Sequence, residues 1–204
     1  MTTLTAPILR IAAEGWVFLL LPLSLGVFAL LGECWWFLAL SVLVFTLAAL
    51  FFHDAPRRSP AKPLGILAPV DGVVSFRREC HDPYLAREAI RIGITVPFFA
   101  NYLLRAPVEG EVVALDAAPK QVSGIRTDEG ETVLIALARG SLLGVSPVRA
   151  DVGDRLGQGR LCGARRLARV IDVYLPADCR VEVQLGQSVR CGETVLATLL
   201  RRSA

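Results

Sequence analysis

Histidine and lysine are scarce in this chain of 204 residues, and no pair of cysteines is spaced Cys-x-x-Cys. His53 and His81 are the only histidines, Lys62 and Lys120 the only lysines. Cys34, Cys80, Cys162, Cys179 and Cys191 are odd in number, widely spaced and without a histidine cluster beside them. Neither a metal centre nor a disulfide framework is expected from such a set. The thiols read instead as small apolar residues in a reducing compartment. A block of like charge is also missing. The 22 Lys and Arg residues are scattered among 19 Asp and Glu, giving a net charge of +3, so nothing here tracks a phosphate backbone and nucleic acid is not an expected partner. Past residue 60 there is no long amphipathic helical pattern, which turns the expectation for that part toward strands.

What is plentiful is apolar sequence, 53% of the chain, concentrated in the first 52 residues. Between residues 16 and 52 the one ionisable side chain apart from Cys34 is Glu33, set between Gly32 and the pair Trp35 and Trp36. That interruption divides the run into predicted helices over about 16–31 and 35–52, each a little short of the roughly 20 residues that cross a bilayer. The expected arrangement for 1–55 is a transmembrane helical hairpin, with the tryptophans at the interface and Glu33 in water at the turn. A single tilted helix built from the second half is the alternative. The run is too long for a cleavable signal peptide. Arg10 on one flank and Arg57, Arg58 and Lys62 on the other place both ends of a hairpin on the cytoplasmic side, and with them the following domain. The local excess of Arg57, Arg58, Lys62, Arg77 and Arg78 suits either anionic lipid head groups or a solvated basic face.

Pro56, Pro60 and Pro63 predict an extended linker over 56–66. From 67 to 204 short β-branched runs alternate with glycine turns: 72–76, 90–96, 110–115, 132–137, 170–175, 181–185 and 194–199 read as strands. Val181, Val183 and Leu185 alternate with Glu182 and Gln184, as a half-buried strand requires. The fold class is therefore mainly β, a sandwich or partly open barrel. One turn occurs twice, in 152–161 with Gly153 and Gly159 and in 185–195 with Gly186 and Gly192, and those glycines are expected at positive φ. The pattern resembles the turns of biotinyl and lipoyl carrier domains, but neither lysine sits in a Met-Lys setting, so the turn is read as structural.

Several segments in order carry a more extended resemblance. They are Ile11-Ala12-Ala13-Glu14-Gly15-Trp16, Phe51-Phe52-His53-Asp54, Leu67-Ala68-Pro69-Val70-Asp71-Gly72-Val73-Val74, Arg105-Ala106-Pro107-Val108-Glu109-Gly110, Ile171-Asp172-Val173-Tyr174-Leu175-Pro176, and the turn over 185–195. Together they resemble the short, bacterial and archaeal type of phosphatidylserine decarboxylase. The resemblance implies a barrel-sandwich domain and a chain that cuts itself at a Gly-Ser bond, the serine becoming a pyruvoyl group. That group serves as the electron sink for decarboxylation. It further implies an aspartate that orients a histidine, which activates the serine.

Carried over by position, the aspartate is Asp71, the histidine position holds Tyr102, and the Gly-Ser pair is Ala168 and Arg169. A phenol titrating near pH 10 is a poor base for a serine hydroxyl at neutral pH. An arginine offers no hydroxyl or thiol from which a pyruvoyl group could form. The segment between Gly110 and Gly153 is shorter than the family implies, with Thr127-Asp128-Glu129-Gly130-Glu131-Thr132 where an acidic, asparagine-containing stretch is expected. The expectation is a membrane-anchored, non-catalytic member of the family without a cofactor, in the inner membrane of the cell. Its expected partners are membrane lipids, aminophospholipids among them, and a homo- or hetero-oligomer with a lipid-synthesis enzyme. Arg105 and Arg169 are the candidate phosphate contacts, because guanidinium groups pair with phosphate oxygens in a fork. Ion pairing with Asp71 or Asp172 is the alternative use of the two arginines. An active decarboxylase with relocated residues, a base at His81 or a cut at Gly140-Ser141, is the alternative function, and a purely structural membrane-tethered β domain is a third.

Overall fold

The computed structural model describes residues 15–32, 35–51, 57–60, 62–98, 100–115, 119, 121–139, 147–165 and 167–200. The chain separates into two compact units, Met1–Pro56 and Arg57–Ala204.

The first unit holds helices α1 (Gly15–Leu31) and α2 (Trp35–Phe51), which pack on one another. Small residues let them approach. A Cβ on Gly26 would lie 2.8 Å from Ser41 Oγ, and that hydroxyl, buried between the helices, donates to the Pro22 carbonyl. Close approach through glycine with a hydroxyl bonded across the helices is a packing mode of apolar surroundings. Leu19 and Ala29 are buried, while Trp36 is 90% exposed and Leu21, Phe28, Leu31 and Trp35 are also open. The two helices expected from the sequence are present within a residue at each end. A transmembrane hairpin is not supported: at 17 residues each described helix spans about 25 Å against a hydrocarbon core of about 30 Å. Among the described residues no helix is long and apolar enough to cross a membrane.

The second unit is mainly β. Its strands are β1 (Gly65–Leu67), β2 (Gly72–Asp82), β3 (Arg87–Thr95), β4 (Leu103–Arg105), β5 (Gly110–Val113), β6 (Val122–Arg126), β7 (Thr132–Arg139), β8 (Arg155–Leu156), β9 (Leu161–Ala164), β10 (Val170–Pro176), β11 (Arg180–Val181), β12 (Ser188–Val189) and β13 (Val195–Thr198). An eight-stranded sheet runs β12-β2-β3-β10-β7-β6-β5-β8, a three-stranded sheet β1-β13-β11, and β4 pairs with β9. Every pairing is antiparallel. The period-2 pattern of β10 shows how the layers form. Ile171, Val173 and Leu175 point into the main core, and Asp172 and Tyr174 to the other face of the sheet. Ile66 and Leu196 from the three-stranded sheet, Ile92 and Ile135 from the large sheet, and Leu104 and Cys162 from the pair meet in that single core. Burial of each large aliphatic side chain favours the packed layers by about 1.5–3 kcal/mol.

Two local expectations need correction. The alternation over 181–185 does not make a strand: β11 ends at Val181, Val183 is buried, and Leu185 lies 66% exposed in a turn. The linker expected over 56–66 ends in β1, whose Gly65 and Ile66 pair with Thr198 and Ala197, because the apolar Ile66 is drawn into the core. The repeated turn behaves as its glycines require, with φ of +94° at Gly153, +70° at Gly159, +78° at Gly186 and +70° at Gly192.

Candidate functional site

Each of the three family positions sits where a loop enters a strand. Asp71 ends the turn before β2, Tyr102 precedes β4, and Ala168 with Arg169 precedes β10. Strand ends are natural places for chemistry because the sheet fixes the backbone while the loop frees the side chain.

Asp71 is committed to structure. Its Oδ2 accepts from Arg57 Nη2 at 2.9 Å and its Oδ1 accepts from the Cys191 amide at 2.8 Å. The carboxylate thereby ties the start of the β domain to the second repeated turn. Beside it the Cys191 thiol donates to the Pro69 carbonyl at 3.0 Å, and burial, reinforced by Asp71, pushes that thiol up to about 12. Cys162 is likewise buried with its thiol raised by desolvation, near the Leu104 carbonyl. Neither sulfur is a nucleophile at neutral pH, since it is the thiolate that attacks.

Tyr102 is 7% exposed, and burial raises its phenol above the ordinary value against the opposing pull of Arg149 and Arg165. Its proton is held more firmly than in water, the reverse of what a base needs.

Arginines flank the position where the resemblance leads one to expect scission. Ala168 is fully buried and the backbone at Leu167 takes φ of +64°. The Arg169 carbonyl accepts from the Val96 amide at 2.9 Å, and Arg169 Nε donates back to the Val96 carbonyl at 3.2 Å. Its guanidinium lies 6.0 Å from the centre of the Phe98 ring. Arg165, 1% exposed, was not signalled by the sequence. Its guanidinium donates to the carbonyls of Phe98, Ala100, Asn101 and Ala168 at 2.8 to 3.3 Å, and its amide to that of Tyr102. Burial and the charge of Arg169 lower its pKa from that of a free guanidinium. One buried cation thus clamps the loop before β4 to the turn before β10. In the sequence Arg165 and Arg166 are indistinguishable neighbours, so no pattern could have singled out the first.

The remaining predicted residues disperse. Arg105 Nη1 donates to the Gly159 carbonyl at 3.0 Å. The ion pairs anticipated for Arg105 and Arg169 are made by others, Arg57 with Asp71 and Arg91 with Asp172. His81 is not in a loop but in β2, facing Glu88 across the hairpin at 3.1 Å. Lys62 of the basic set pairs with Glu182 at 2.6 Å. His53, Gly140 and Ser141, together with Arg10, Glu33, Cys34 and Lys120, lie outside the described residues. A pyruvoyl group does not fit the residues present, because Arg169 carries no hydroxyl or thiol that could add to the preceding carbonyl and then leave by elimination.

No family profile matches the chain. In structure it is similar to the glucose permease IIA from Mycoplasma capricolum, with a TM-score of 0.46 and 19% identity over 66% of this chain and 94% of that one, a likeness too weak to build on. Whole-chain sequence similarity is much stronger. The phosphatidylserine decarboxylase proenzyme of Cupriavidus pinatubonensis is 34% identical, covering 93% of this chain and 95% of its own. The protein of the same name from Cupriavidus metallidurans is also 34% identical with the same coverage, and that of Nitrosomonas europaea is 32% identical over 92% and 94%. Relatedness that runs end to end at this level leaves one assignment: the chain belongs to the phosphatidylserine decarboxylase family.

Proposed function

We propose that this chain is a non-catalytic member of its family, a membrane-anchored module of phospholipid metabolism that binds lipid or a partner enzyme and does not decarboxylate. The observation that carries the reading is Arg169. Its side chain, bonded to the Val96 carbonyl, stands where self-cleavage requires a serine, near enough to the buried Arg165 guanidinium to lower its pKa. Adding a side chain to the preceding carbonyl demands a hydroxyl or thiol nucleophile and a base to take its proton. A guanidinium supplies neither. Asp71 keeps its place while serving as an ion-pair and amide acceptor instead of orienting a base.

The apolar helix pair supports the anchor. Helices apolar all round either fill a core or lie in lipid, and large side chains such as Trp35, Trp36, Phe28 and Leu31 are open. The β domain then faces the cytoplasm at the inner membrane, where Arg105 and Arg169, held apart on the Gly159 and Val96 carbonyls, are separate candidate contacts for an aminophospholipid phosphate.

Intact mass tests the central point. The purified chain is expected as one uncut species of 22.1 kDa. Two stoichiometric fragments, the second opening on a carbonyl that borohydride reduces, would instead mark a working decarboxylase cut elsewhere.

A further inference from the structure

Two guanidinium groups hold the segment between β3 and β4, and they are used differently. Arg165 donates Nη2 to the carbonyls of Phe98 and Ala100 at 2.8 and 3.0 Å, Nε to that of Asn101 at 3.1 Å and Nη1 to that of Ala168 at 3.3 Å. Its donors are spent inside the protein. Arg169 donates Nε to the Val96 carbonyl at 3.2 Å, while its Nη1 and Nη2 donate to nothing among the described residues. That side chain is exposed, and Phe98, whose ring centre lies 6.0 Å from its guanidinium, is 55% exposed. An open fork of this kind is shaped for the oxygens of a phosphate.

The field around the fork has one sign. The Ala168 carbonyl held by Arg165 belongs to the peptide that opens Arg169, so the two cations are close, and the charge of Arg169 lowers the pKa of Arg165. The described charges acting on Arg165 are those of Arg169 and the Tyr102 phenol, with no carboxylate among them. Arg149 brings further positive charge to Tyr102. A phosphate gains from this field. An ammonium on the same head group, a two-carbon spacer away, loses from it, and the Phe98 ring that could hold a cation already faces Arg169.

We propose that Arg169 makes the altered site selective for a phospholipid head group without an amine, of the phosphatidylglycerol kind, and disfavours the aminophospholipids. The selectivity rests on the phosphate contact proposed above for Arg169 and ranks the head groups able to use it. Arg165 acts only through its charge.

The test uses the full chain in an uncharged detergent, titrated calorimetrically with monomeric dihexanoyl phosphatidylglycerol, phosphatidylserine and phosphatidylethanolamine, and with inorganic phosphate. The glycerol lipid should bind about tenfold more tightly than either amine lipid, although the serine lipid carries the same net charge. Arg169→Gln should weaken the glycerol lipid and bring the three lipids within about twofold of one another. Arg169→Lys keeps the charge and should keep the order, with far-UV circular dichroism checking that both variants remain folded. Inorganic phosphate should bind more weakly than the glycerol lipid. An amine lipid that equals the glycerol lipid, a preference that survives Arg169→Gln, an order lost in Arg169→Lys, or inorganic phosphate as tight as the lipid would each overturn the proposal. Affinities that Arg169→Gln leaves unchanged would overturn the phosphate contact with it. Intact mass of the same sample keeps any such failure distinct from a failure of the non-catalytic reading.

Discussion

A single guanidinium holds the altered centre together, and its environment says how strongly. Arg165 is desolvated yet satisfied by four carbonyls, so removing its charge strands four acceptors at once, that of the fully buried Ala168 among them. Arg165→Met is expected to destabilise the β domain by about 3 kcal/mol or more, read as a fall in the urea midpoint. Asp172 offers a second test. It is 1% exposed, donated to by Arg91, and its Oδ1 is buried without a partner. Burial raises its pKa, with Arg91 opposing. A carboxyl that holds its proton more tightly folded than unfolded favours folding fully below its unfolded value of about 3.9. That contribution is lost as pH rises through the raised folded value. The stability of the wild type relative to Asp172→Asn should therefore decline as pH climbs from about 3.5 to 7, measured by denaturant titration at each pH.

At the scale of elements, glycines decide where strands turn and how closely they lie. Gly186 sits at φ +78° with nothing within 4 Å of an added Cβ. Gly186→Ala should cost only the left-handed backbone penalty, about 1 kcal/mol. Gly110 in β5 is different, for its Cβ would stand 2.1 Å from the Arg126 carbonyl of the neighbouring strand. Gly110→Ala should cost about 3 kcal/mol because sheet backbone must move. Melting curves of the two variants side by side check the order. The repeated turn was readable from sequence because four glycines at matched spacing have one common physical use. The stretch Val181, Val183, Leu185 misled because alternation predicts a face and not a partner: the bonding to β13 ends with the Glu182 amide on the Leu196 carbonyl, and Leu185 is left in solvent.

The whole molecule pairs an apolar helical unit with a charged β unit. If the first seats in a bilayer, the chain should float with vesicles in a density gradient and resist extraction by high salt or alkaline carbonate, yielding only to detergent. Recovery in the salt wash would remove the anchor from the proposed function. Vesicles with and without phosphatidylserine, compared at equal surface charge, then separate head-group recognition from anchoring alone.

Sequence alone settled the family, the two apolar helices and a mainly β second unit, since motif order, hydropathy and period-2 patterning are properties of the chain read in line. It also raised the expectation that Tyr102 and Arg169 stand in the places of a base and a nucleophile, because side-chain identity limits chemistry before any folding. Only the tertiary structure decided that Asp71 is bound to Arg57 and Cys191, that Arg165 is a buried clamp, and that β2 beyond Val74 is paired on its β3 side alone among the described residues. Those facts depend on which distant segments meet, and partners up to 120 residues apart leave no mark on local sequence.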